Sequence, residues 1–348
     1  MSEELYFRIF ERSNTLKTGE TQMNKAILLT VSLLVLTLTI YAQVKPDINI
    51  IAGTDPEFCQ KLSKTLSRIL LESNRVFKGV GSLESVRDYF TDEGFNNFKD
   101  IVEKTKPYTA KKRYNLNVIE VVTSGLFEVR GIKVHVDVGE TEASPVQYLV
   151  FSFNKKGKIA RVRYSIPAHN YQDILNEGID DIDKARRQKI LEFLEVFGTA
   201  YSRKDADFLE KIFSDDALII SGTVLYKKPE FNDLMTCANK PPEKIVQYRQ
   251  YTKKQYIERL RKYIFPSNSY INLKFEDIKI IRHRKMDKVY GIKLKQHWKA
   301  EKYEDVGYLF LTVYFWKEDN PVILVRVWQD TVFQGDYDVS IYDFDIIE

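Results

Sequence analysis

Twice along this 348-residue chain, apolar residues at helical spacing give way to a closing run of alternating ones. Helices first and strands afterwards build an α+β layer; a parallel α/β sheet needs the two kinds of element to alternate. The sequence therefore predicts an α+β fold of two domains, each of helices packed on an antiparallel sheet.

The first block spans 44–167. Pro56 opens a helix with Phe58, Leu62, Leu66, Ile69, Leu70, Val76 and Phe77 on one stripe. Gly79 and Gly81 end it. Ser82 is the expected N-cap of a second helix bearing Leu83, Val86, Tyr89 and Phe90, and Glu93–Lys104 forms a third. Beyond Pro107 the alternating segments 115–123, 126–138, 146–153 and 159–166 read as an antiparallel meander. Its last hairpin turns at Asn154–Lys158.

Residues 168–183 read as a linker. The second block, 184–332, opens with a long amphipathic helix carrying Ile190, Leu191, Leu194, Phe197 and Tyr201. A short helix starts at Lys204-Asp205, and a short strand covers Ala217–Ser221. The polar stretch Tyr226–Tyr251 is expected to be a loop. Thr252–Ile264 forms a helix packing through Tyr256, Leu260, Tyr263 and Ile264. Four strands close the block at 270–282, 289–300, 307–316 and 322–331. Residues 333–348 form an acidic, aromatic tail.

Ahead of both blocks, Met23–Ala42 has the form of a secretory signal: a basic Asn24-Lys25, the apolar run Ala26–Ile40, then small residues before Gln43. A run of about fifteen residues is short of the ~20 that cross a bilayer, so cleavage is favoured over anchoring. No Cys follows for lipid attachment. Residues 1–22 lie outside the fold, and translation is expected to start at Met23. The mature protein is thus expected in a periplasm or outside the cell.

A composition of 44% hydrophobic and 13% aromatic residues excludes a disordered chain. A net charge of +4 is too mild to point to nucleic acid. Cys59 and Cys237 fall in different blocks and read as independent buried thiols rather than a disulfide. The four His are scattered, there is no CxxC, and no GxSxG, HExxH, P-loop or GxGxxG motif occurs. Neither a metal nor a cofactor is expected.

Strand parity sorts the polar candidates. Ile292, Leu294, Gln296 and Trp298 share the apolar face of one strand, which turns Gln296 and Trp298 inward and His297 outward. On the last strand Arg326, Trp328 and Asp330 share a face that either lines a pocket mouth, with an Arg–Asp pair, or forms an outer surface. Asp216 reads as a solvated turn residue, or else a pocket carboxylate. Tyr201 packs its ring with the hydroxyl toward the surface, or points it into a pocket. Tyr256 is a further pocket candidate. His283 sits in a basic turn and reads as exposed, and His135 faces away from its strand's apolar side.

The text Phe197–Gly222 (FGTAYSRKDADFLEKIFSDDALIISG) carries Phe213, Asp216 and Ala217 in an F-x-x-D-A lead into the first strand. With the helix, helix, strand, helix, sheet order, it resembles the nuclear-transport-factor-2-like superfamily, including its SnoaL-like branch. That resemblance covers about 145 residues and implies a cone with one open mouth, so the fold class expected is α+β with two helix-plus-curved-antiparallel-sheet (cone-like) domains. It implies nothing specific about function, since one scaffold hosts enzymes, binding modules and assembly domains. Its enzymes use a carboxylate or His inside the cone as general base, with a Tyr or protonated acid nearby. The first block, lacking the short first strand, is similar either to a degenerate second copy or to a cystatin-like helix-on-sheet domain. The mature chain as a whole is similar to exported two-domain proteins of Bacteroidetes-type bacteria.

The expectation drawn from all this is an exported, non-catalytic binding or interaction protein with a partner in the cell envelope. The alternatives are a closed pocket for a small apolar ligand, lined by Tyr201, Trp298 and Trp328, and a SnoaL- or ketosteroid-isomerase-like enzyme. A homodimer through the outer sheet face is compatible with the aromatic and Lys-rich outer strands.

Overall fold

The computed structural model describes residues 45–121, 124–136, 145–176, 182–227, 243–318, 320–333 and 339–343. The expected signal and the residues before it, Cys237, and the Asn176-Glu177-Gly178 and Asp180-Asp181 turns beyond Asn176 lie outside this set. No described helix is long and apolar enough to cross a membrane.

The fold is α+β, with two sheet-bearing units. In the first, β1 (Asp47–Ala52) precedes α1 (Pro56–Phe77) and α2 (Asp92–Thr105). Asp55 caps α1 by accepting from the Phe58 amide at 2.9 Å, with Pro56 in the first turn. The stripe Leu62, Leu66, Ile69 and Leu70 is completely covered, each side chain contributing about 1.5–3 kcal/mol. The piece after Ser82 is a 3-10 turn, Leu83–Tyr89, and Ser82 makes no side-chain cap. Then come β2 (Tyr108–Thr109), β3 (Arg113–Val121), β4 (Leu126–His135), β5 (Val146–Phe153) and β6 (Ile159–Tyr164).

The meander β3–β6 is antiparallel as expected, but β1 was not foreseen, and it lies parallel on β3. Ile48 and Ile50 point into the core while their neighbours face water. Three apolar-polar alternations beside a Lys-Pro pair are too short a signal to mark a strand. The stretch 168–183 also differs from a plain linker. It contains α3 (Ala168–Asn176), whose Tyr171, Ile174 and Leu175 are buried.

The second unit begins with α4 (Lys184–Arg203), capped by Asp183, and α5 (Ala206–Ile212). Next come β7 (Phe213–Lys227) and β8 (Glu243–Tyr251). Part of the expected polar loop is therefore a strand, antiparallel to β7. α6 (Lys253–Arg259) starts with a Thr252–Gln255 capping box and runs into a π turn, Leu260–Ile264. Tyr263 in that turn is exposed rather than packed. β9 (Ile271–Arg282), β10 (Val289–Ala300), β11 (Glu304–Lys317) and β12 (Asn320–Gln329) complete a sheet ordered β8-β7-β12-β11-β10-β9, with β12 parallel to β7.

Register shifts curl this sheet. One lies in β9 opposite Leu294, where Asp277 takes a left-handed φ of 51°. Others fall between Thr312 and Val313 and between Ile323 and Val325. Each extra residue bends its strand and sharpens the local twist. The concave face holds the main core, from Phe197 and Tyr201 of α4 to Ile292, Leu311 and Trp328. The tail is not free of the fold. Ile341 is completely buried on the convex face against Val289, Phe310, Val325 and Val327.

Helix α4 belongs to both units. Gly198 sets its backbone against Phe275 inside the cone, where an added methyl would come within 3.1 Å of the ring. The adjoining face meets the first sheet, with Thr199 Oγ accepting from the Tyr164 amide at 2.9 Å.

Candidate functional site

Inside the cone, between α6 with its π turn and the strands β7, β10, β11 and β12, lies a cavity of ≈ 300 Å³. It is open at one end rather than closed. Four predicted residues line it directly from the sheet: Gln296, Trp298, Arg326 and Trp328, joined by Tyr256 from α6. Two alternations bring them there. Gln296 and Trp298 share a face of β10, as parity predicts. Arg326 and Trp328 share one on β12, below the shift that throws Leu324 and Val325 to the convex side. The bulge resolves the two-faced reading of this strand: the Arg–Trp face is the inner one.

Trp328 lies flat on the sheet because its neighbours have no side chains. A Cβ at Gly222 on β7 would fall 2.1 Å from its ring, and one at Gly307 on β11 would fall 2.3 Å away. Its indole N–H has no hydrogen-bond partner. Arg326 is 5% exposed. It donates to Ser221 Oγ at 3.0 Å and to the Ile220 carbonyl at 3.5 Å, and it stands 5.4 Å from the centre of the Tyr256 ring. Its Nε is unpartnered.

The other predicted residues stand elsewhere. Tyr201 is wholly buried, contrary to a surface hydroxyl, and that hydroxyl meets the Tyr256 hydroxyl at 2.6 Å behind the cavity wall. Burial pushes its pKa well up. Asp330 sits at the rim, held by Lys244 at 3.1 Å and by the Tyr248 hydroxyl at 2.8 Å, so it does not pair with Arg326. Asp216 is exposed and outside the cavity. His297 points outward onto Glu276 at 2.8 Å, and His135 stacks on Tyr108. His283 is buried rather than exposed. Its Nδ1 accepts from the Met286 amide at 2.8 Å, and burial lowers its pKa. Cys59 is a buried free thiol.

Sequence reasoning missed Asp305, which lines the cavity with an unpartnered Oδ1. Burial raises its pKa against the opposing pull of the Tyr303 hydroxyl and of Arg326. The expected strand began at Gly307, whereas β11 begins at Glu304. Two more residues of alternation put Asp305 on the face of Gly307 and Leu309.

Larger hollows exist. One of ≈ 490 Å³ runs beside α4 near Phe208 and Phe315, and one of ≈ 400 Å³ lies at the junction of the units. Several of their charged groups are engaged with one another or with neighbours: Lys189 with Glu318, Arg161 with Glu192, and Glu195 with two arginines. Among the described residues, eight side chains hold a buried polar atom without a partner, and three of them (Asp305, Arg326 and Trp328) line the ≈ 300 Å³ cavity. Natural proteins carry few such atoms, and each calls for an explanation. No group of three or more potential metal ligands is found among the described residues.

No protein-family model matches the chain, and no curated protein is similar to it. Among solved structures, a Bdellovibrio bacteriovorus protein, Bd1075, is 13% identical at a TM-score of 0.32, over 50% of this chain and 46% of its own. The chain thus spans under half of that protein's length. A putative scytalone dehydratase from Novosphingobium aromaticivorans is 15% identical at 0.29, over 44% and 88%. The β subunit of a Burkholderia mallei benzoate 1,2-dioxygenase is 16% identical at 0.29, over 48% and 100%. The site is therefore read from its own residues.

Proposed function

We propose that this is an exported small-molecule-binding protein whose ligand occupies the ≈ 300 Å³ cavity of the second unit. One observation carries the reading: Asp305, Arg326 and Trp328, each holding a buried polar atom without a partner, line a single hollow also walled by Trp298 and Tyr256. Ligand pockets combine such an apolar, aromatic wall with a few placed polar groups. A leftover buried donor or acceptor costs about 1–3 kcal/mol, and three such costs beside one hollow call for a functional explanation.

The test is a thermal-shift screen of small aromatic and aliphatic compounds against the protein and Thr223→Trp, which fills the cavity from its β7 wall. Saturable stabilisation of the parent, lost in Thr223→Trp, is expected. Absence of any binder, or binding that persists in the filled variant, overturns the proposal.

A second reading, acid–base catalysis, is favoured by Asp305, a buried carboxyl of raised pKa beside Tyr303. Mass analysis of binders after incubation separates the two. Unchanged ligand supports binding alone, and conversion abolished by Asp305→Asn supports catalysis.

A further inference from the structure

The cavity's charge balance narrows its ligand. Arg326 is a buried cation whose hydrogen-bond and ring partners are all neutral: a serine hydroxyl, a main-chain carbonyl, the Tyr201 hydroxyl and the Tyr256 ring. A buried charge is tolerated when an opposite charge reaches it. Neither of the two carboxylates nearby forms a close ion pair with it, although Asp305 attracts it from further off. Asp330 is engaged by Lys244 and Tyr248 at the rim, and Asp305 keeps an unpartnered oxygen within the same hollow. A second guanidinium, Arg259, lines the cavity, 5.9 Å from the centre of the Tyr251 ring. The hollow is thus lined by two guanidinium groups against one carboxylate, and Arg326 Nε and Trp328 Nε1 beside it have no acceptor.

Shape adds a second restriction. The walls are flat: the Trp328 indole is pressed down by Gly222 and Gly307, and Trp298 stands edge-on to Tyr201 with ring centres 5.7 Å apart. Aromatic faces of this kind take a planar ring at low conformational cost. A volume of ≈ 300 Å³ admits one or two rings.

Resting on the ligand-binding reading above, we infer that the ligand is a small aromatic carboxylate, with its carboxylate on Arg326, its ring against Trp298 and Trp328, and a ring hydroxyl or N–H donated to Asp305. Arg is suited to this task because its planar fork matches a carboxylate and stays charged when buried.

Isothermal titration tests it with 4-hydroxyphenylacetate and indole-3-acetate as probes, against 4-hydroxyphenylacetamide and the non-aromatic 3-cyclohexylpropionate. Both aromatic acids are expected to bind, the amide about 30-fold more weakly or worse, and the non-aromatic acid more weakly than either. Arg326→Gln is expected to bring the acids down to the amide and to leave the amide unchanged. If Arg326→Gln does not fold, the acid–amide comparison on the parent protein decides alone. Equal binding of acid and amide overturns the carboxylate assignment while the cavity remains a binding site. Failure of every probe, with other compounds binding in the thermal-shift screen, overturns the ligand class only. Failure of every compound overturns both.

Discussion

Arg130 of β4 and Glu195 of α4 form an ion pair across the junction of the two units, with both side chains buried. Arg163 of β6 donates to the same carboxylate at 2.9 Å, and Glu128 binds both arginines, at 2.7 Å each. The Ile166 amide completes Glu195 at 2.9 Å, Ser152 completes Glu128 at 3.1 Å, and the Tyr171 ring lies 3.6 Å from the Arg130 guanidinium carbon. Two positive and two negative charges close on themselves. This clasp fixes how α4, and with it the cone, is held to the first sheet.

Glu195→Gln leaves two buried guanidinium groups to share one carboxylate. Removing one partner of a buried pair costs about 3–5 kcal/mol, read as a fall in urea midpoint. Arg130→Met combined with Glu195→Leu, which leaves the Glu128–Arg163 pair, is expected to recover most of that loss. A double variant less stable than either single one contradicts the account.

The same cluster sets an acid limit. Burial alone would push the Glu128 carboxyl up, but Arg163 and Arg130 outweigh it and hold it down to about 2. A carboxyl lowered on folding stabilises fully above its unfolded value near 4.5, and that stability is lost as pH falls toward 2. The difference is on the order of 3 kcal/mol. Stability measured from pH 5 to 2 should fall steeply in the parent and with a shallower slope in Glu128→Gln. Equal slopes would assign the acid limit to other groups.

Gly222→Ala drives a methyl into the Trp328 ring. An overpacked core residue costs about 1–3 kcal/mol, and the displaced indole should redden in fluorescence and weaken any ligand that uses it. Unchanged emission and unchanged melting would mean that the ring is not pinned there.

N-terminal sequencing of the native protein is expected to begin at Gln43, four residues ahead of β1. Recovery of residues 26–42 on the mature chain would recast it as membrane-tethered.

How far the sequence led varies with the length of each signal. The long periods on α1 and α4 and the strand β10 were legible because many residues repeat the same choice of face. The inward turn of Gln296 and Trp298 followed from that. Ile48 and Ile50 offered too few alternations to reveal β1. On β12, parity alone left Arg326 and Trp328 on either face, since the shift beside Leu324 leaves no mark in the order of residue types. Asp305 escaped because a strand's first residues look like turn. Gly222 and Gly307, the two positions that let Trp328 lie down, are far apart in the chain and meet only once β12 lies between β7 and β11.

The seating of Ile341 has a consequence for synthesis. The convex patch at Val289, Phe310, Val325 and Val327 is made before the residue that covers it. A nascent or prematurely stopped chain therefore has every strand of the second sheet and still shows a sticky face. Closure waits for the segment after β12 to emerge, so the surface is finished later than the sheet beneath it.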